Sequence, residues 1–212
     1  MELKTETSRL SKRDKTDQKA REATLIKVLF GLMLTGLAAS RVLCAQAPSS
    51  PVPPPAVATA NPVVWSANQL FVREAKYVVA AADQMPAEKY SYHPTPDQWT
   101  FAKIVSHVAQ SNGGLCGLIS GAPAPPAVKV SETASKADLM SALQASVDFC
   151  GQVLGNLQDA KLGDTITFFR GAQVPRARAL LELTADLPDH YSQMASYLRS
   201  NGMLPPSAAP KK

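Results

Sequence analysis

Apolar residues recur at three- and four-residue steps along four stretches of the chain, the spacing that puts one face of an α-helix into a core. The first runs from Val64 to Met85, with Trp65, Leu70, Phe71, Ala75, Val78, Val79 and Ala82 inward. The second is FAKIVSHVAQSNGGLCGLIS, in which Ile104, His107, Val108, Ser111 and Leu115 share a face and Thr100 stands in place to cap the helix. The third, KADLMSALQASVDFCGQVLGNLQ, aligns Leu139, Leu143, Val147, Cys150, Leu154 and Leu157. The fourth extends from about Pro175 to Asn201, with Leu180, Leu183, Leu187, Tyr191, Met194 and Leu198 inward. Pro188 lies within it, removes the amide that would bond the Thr184 carbonyl, and predicts a kink beside His190.

Between these stretches the pattern breaks. PAEKYSYHPTPDQWT holds three prolines and predicts a long connection whose tyrosines and Trp99 fold back onto the core. GAPAPPAVKVSETAS is a second long connection, and Thr165 to Phe169 predict a short extended piece before helix four. The expectation is an all-α fold, an antiparallel four-helix bundle with long connections after helices one and two.

Upstream of the bundle the chain changes character twice. A polar, basic leader precedes Val28 to Ser40, an uncharged run too short to span a bilayer as a helix and suited to a signal-peptide core. Residues 1–45 therefore read as an export signal, with an uncleaved membrane anchor or a misassigned start as alternatives. Residues 46–62 are rich in Pro and Ala and read as a linker. The folded domain is expected over residues 63–208, with a short tail at 209–212.

Composition refines this picture. With 212 residues and 45% hydrophobic content the chain can bury one sizeable core, and a 6% aromatic share among many Ala and Leu favours helix. The sequence pI near 9.2 suggests a nucleic-acid partner until the charges are located. Nine of the 22 Lys and Arg and five of the 17 Asp and Glu fall in residues 1–45, so 13 basic and 12 acidic residues remain. A nearly neutral domain gives no electrostatic footprint for nucleic acid. No internal repeat, phosphate-cradling glycine loop, G-x-S-x-G, H-E-x-x-H or C-x-x-C is present. Arg170, Arg176 and Arg178 gather ahead of helix four, a weak anion site and more often a solvated face, and Arg199 is placed to pair across the bundle or a dimer face.

Candidate chemistry then rests on a few side chains. Asp186 and His190 are four residues apart on one helix face, so a carboxylate and an imidazole there can grip one ion, although the spacing also arises by chance. His93, followed by Pro94, reads as a packing residue. Cys116 and Cys150 lie on helices two and three, where they form either a disulfide, if the domain is exported, or two buried thiols. A nucleophilic cysteine is disfavoured, since neither has a neighbour that would lower its pKa.

The ordered set MPAEKYSYHPTPDQWTFAKIVSHVAQSN and, downstream, DHYSQMASYLRSNGMLPPSA resembles the DinB-like family of four-helix bundles, over roughly Val64 to Ala208. The resemblance implies a bundle that often holds zinc or nickel through three histidines, one on the second helix and an H-x-x-x-H pair on the last. It also implies relatives that are thiol-dependent transferases and isomerases, and it allows a homodimer. His107 matches the second-helix histidine and His190 the final one, while Asp186 stands where the remaining histidine is expected. Two histidines and one carboxylate are an accepted catalytic ligand set. The expected function is that of an exported protein with a divalent-metal site at His107, Asp186 and His190, and hydrolase- or transferase-like activity on a small substrate. The competing expectation is a metal-free bundle that binds a small ligand or partner. There His107 bonds across the core, Asp186 is a solvated or capping carboxylate, and His190 pairs with a neighbouring acid.

Overall fold

The computed structural model describes residues 60–210; the expected signal or anchor at 1–45, most of the linker and the end of the tail lie outside the described residues. Four long helices dominate: α1 (Pro62–Gln84), α2 (Phe101–Ser120), α3 (Lys136–Asn156) and α4 (Arg176–Ser200). Their bounds follow local chemistry. Thr100 accepts a hydrogen bond from the Lys103 amide at 3.1 Å to open α2, and Gly121 closes it at φ 75°, a left-handed conformation that glycine adopts without a Cβ penalty. Ser135 opens α3, accepting from the Asp138 amide at 3.2 Å and donating to the Asp138 carboxylate at 2.7 Å. Asn61 opens α1 with no side-chain bond to its own first turn. There the Asp159 carboxylate, from the segment after α3, accepts from the Val63 and Val64 amides at 2.9 and 2.8 Å. The Asn61 side-chain carbonyl returns the bond to the Asp159 amide at 2.9 Å.

Around the bundle, α2 packs against α3 and α4, and α1 against α4 and less closely α3. The cross-links set the directions. Cys116–Cys150 and Asn112–Ser146 run in step, so α2 and α3 are parallel. His107–His190 and Ser111–Asp186 run counter to one another, so α2 and α4 are antiparallel. Tyr77 stacks on Tyr191, which makes α1 and α4 parallel, and Lys136 reaches the carbonyls of Asp83 and Met85, which makes α1 and α3 antiparallel. Parallel neighbours cannot be joined by a tight turn, and the long α2–α3 connection supplies the crossover.

The inward stripes of α2, α3 and α4 follow the expected spacing. Val147 and Leu157 are half-buried rather than buried, as are Trp65 and Val79 on α1. Leu70 departs further, 41% exposed, because the α1 stripe is centred on Val64, Ala67, Phe71, Ala75 and Val78 and leaves Leu70 off its edge. The expected extended piece is the strand β1 (Thr165–Thr167), paired antiparallel with β2 (Gln173–Pro175). The first connection does fold back: Tyr90 is buried and donates to the Ala82 carbonyl at 2.7 Å, and Tyr92 packs edge-on against Tyr197.

Cys116 and Cys150 are joined by a disulfide with a Cα–Cα distance of 5.4 Å, and both are fully buried. α4 continues through Pro188 without interruption, so the proline does not separate the residues on either side of it.

Candidate metal centre

The antiparallel α2–α4 pair sets the site. His107 lies on the α2 face turned toward α4, and Asp186 and His190 lie one turn apart on α4, facing back. One ligand-capable atom from each of the three lies within 4.8 Å of the others. His107 and His190 meet edge to face, ring centres 4.7 Å apart. The Asp186 carboxylate is tied at both ends: Oδ2 accepts from the Ser111 hydroxyl at 2.8 Å, and Oδ1 stands 3.4 Å from His190 Nε2, a contact of ion-pair range rather than a short hydrogen bond. Ser111 is one turn beyond His107 on the same α2 face.

Above the histidines sits Trp99, from the connection preceding α2. Its indole stacks on His190 at 6.2 Å and packs edge-on against His107 at 5.0 Å, while its carbonyl accepts from the Tyr197 hydroxyl at 2.8 Å. Trp99 folds back onto the bundle as expected. It is 38% exposed and roofs the site, a role for which the hydrophobic pattern has no signal.

Burial and charge set the protonation states. Burial pulls the His107 imidazole below its ordinary pKa, the nearby His190 and Lys103 act in the same direction, and Asp186 opposes them. Burial pushes the Asp186 carboxyl up, but the His190 and Ser111 bonds and the two histidine charges outweigh it, and the carboxyl titrates below its usual range. The site therefore favours a neutral His107 and an ionised Asp186, the forms in which these two groups ligate metals. His190 Nδ1 is buried with no hydrogen-bond partner among the described residues, a costly state for a ring nitrogen and one that a bound group could relieve.

The other candidates fall into structural roles. His190 faces Asp186 rather than its neighbour Asp189, whose carboxylate accepts from Gln193. His93 is exposed, its Nδ1 2.7 Å from the Thr95 carbonyl, a local turn contact away from the buried core. The arginines do not form one anion site. Arg176 reaches the Ile119 carbonyl and Asp164, Arg178 pairs with Glu182 at 2.6 Å, and Arg170 lies exposed in the hairpin loop at φ 59°.

A model of the DinB superfamily matches residues 70–194. The chain belongs to the DinB superfamily. Solved structures with the same fold include a DinB-like protein from Bacillus cereus, 18% identical, covering 67% of this chain and 95% of that one at a TM-score of 0.53. A DinB-like protein from Bacillus subtilis is also 18% identical, with coverages of 65% and 92% and a TM-score of 0.53. A mycothiol-dependent maleylpyruvate isomerase is 16% identical, with coverages of 62% and 60% and a TM-score of 0.52. At these identities the likeness is one of fold. No curated protein matches the chain.

Proposed function

We propose that this DinB-superfamily domain is a metal-dependent hydrolase- or transferase-type protein, with His107, Asp186 and His190 holding a divalent ion, zinc or nickel. The observation that carries the reading is the convergence of two imidazoles and an ionised carboxylate within 4.8 Å, one imidazole keeping a buried, unpartnered nitrogen. A divalent ion bound by three protein groups supplies Lewis-acid polarisation at an open position. The chain's own residues do the rest. Ser111 orients Asp186 through Oδ2 and leaves Oδ1 turned toward His190. Burial keeps His107 neutral, and Trp99 covers both rings and limits water on that side.

We infer further that the domain is exported, or held at the membrane through residues 1–45. The buried disulfide supports this, because such bonds persist mainly in oxidising compartments. A cytosolic thiol co-substrate is then a poor fit, and a small substrate met outside the cytosol is the better one.

One observation favours the metal-free ligand-binding alternative: Asp186 is already bonded by Ser111 and faces His190, so the cluster is partly satisfied without an ion. Elemental analysis of untagged protein and a thermal-melt series with zinc and nickel separate the two. The metal reading expects about one ion per chain and a raised melting temperature, both lost in His107→Ala. Metal-free protein whose melt is unmoved by either ion refutes it.

A further inference from the structure

We propose that Lys103 and Trp99 form the substrate-reading edge of this site and select a small carboxylate with a flat apolar body. The inference rests on the His107, Asp186 and His190 cluster being the ligand site. Lys103 lies one turn before His107 on the same face of α2, and its Nζ stands 5.1 Å from the Trp99 ring centre. The same indole touches both histidines, so one aromatic surface joins the ammonium to the metal-ligating groups. Trp99 is anchored through its carbonyl by Tyr197 yet 38% exposed, which leaves indole surface available to a planar molecule.

The charges at the mouth are unequally committed. Asp186 is held by Ser111 and His190, whereas among the described residues the acidic partner of Lys103 is Glu132, at 3.7 Å, from the α2–α3 connection. Both side chains of that pair are roughly half exposed, and ion pairs of this kind are weak enough to exchange. Glu132 thus shows that a carboxylate fits against Lys103, and it competes with an incoming one. A carboxylate ligand that displaces it keeps the ammonium paired and lays its apolar body on the indole, next to the histidines.

The test uses benzoate, with benzyl alcohol and benzylamine as neutral and cationic counterparts. They are titrated into the full chain carrying Trp65→Phe, so that Trp99 is its one tryptophan, with zinc and after chelation. The expected result is a saturable change in Trp99 emission with benzoate alone. Lys103→Gln should weaken it about three- to fivefold and Glu132→Gln should strengthen it by a similar factor, the range for a partly exposed ion pair. Equal responses to benzoate and benzyl alcohol, a preference for benzylamine, or benzoate affinity unchanged by both substitutions overturns the proposal. Zinc binding that persists in that event leaves the metal reading standing, while benzoate selectivity without zinc binding removes the metal and keeps the carboxylate edge.

Discussion

Breaking the Cys116–Cys150 bond should destabilise the domain more than any single surface change. The bond closes a loop with a sequence separation of 34 that contains the end of α2, the whole crossover and the first two-thirds of α3. In the chain-entropy treatment a loop of this length restricts the unfolded chain by roughly 4 kcal/mol. Both sulfurs are fully buried, so solvent does not screen the site and removing them also leaves unfilled core volume. Urea unfolding of oxidised protein, of protein reduced before unfolding, and of the Cys116→Ala, Cys150→Ala double variant measures the effect. With a slope near 2 kcal/mol/M, a loss of that size lowers the midpoint by about 2 M. The slope itself should rise on reduction, because an uncrosslinked chain exposes more surface when unfolded. Thiol titration under denaturing, non-reducing conditions gives a second reading: at most one of the three cysteines of the full chain should react, since Cys116 and Cys150 are joined. Coincident urea curves for the oxidised and reduced forms would refute the reasoning, as would three free thiols.

Asp159→Ala removes two bonds from a carboxylate to the opening amides of α1 and should cost about 1–2 kcal/mol in urea unfolding, with Asp159→Asn costing less. Equal stability of wild type and Asp159→Ala would show that water replaces the clamp without loss. Asp186 contributes stability that is fully present above the ordinary carboxyl range and lost as pH falls through its depressed folded value. Ser111→Ala, by removing one of the bonds that depress it, should move that loss to higher pH in an acid titration followed by circular dichroism, whereas superimposable profiles count against the assignment. His107 is held below its ordinary 6.5, so its own protonation should not weaken zinc binding between about pH 8 and pH 7, and any loss there should be no steeper in wild type than in His107→Ala. A steeper loss in wild type than in the variant, measured by calorimetry, would contradict this.

Why some features were legible in the sequence and others were not follows from the range of the forces involved. α2 begins where Thr100 was expected to cap it, because a cap acts within four residues of itself. The stripe of α4 was readable because Leu180, Leu183 and Leu187 face one core throughout. Helix directions were not, since the parallel α2–α3 and α1–α4 pairs depend on the order in which the bundle closes. Asp186 and His190 could be paired from their spacing, and His107 only through a resemblance, because its place opposite them depends on tertiary packing. Ser111 and Lys103 share the α2 face of His107 by spacing, but their contacts with Asp186 and Glu132, like the stacking of Trp99 on His190, cross chain separations that no periodicity encodes. The expected effect of Pro188 is contained, since α4 is helical on both sides of the proline and Asp186 and His190 stay together.

The clamp at the start of α1 has a consequence for the order in which the protein is made. α1 leaves the ribosome before the other helices, yet the carboxylate that completes its first turn arrives 95 residues after Val64, and the helix it packs against most closely, α4, comes later still. Until then Phe71, Ala75 and Val78 have no lasting cover. α2 and α3 can pack in the meantime, so half of the bundle waits for α4, and the histidines of the site meet only when the last helix is complete.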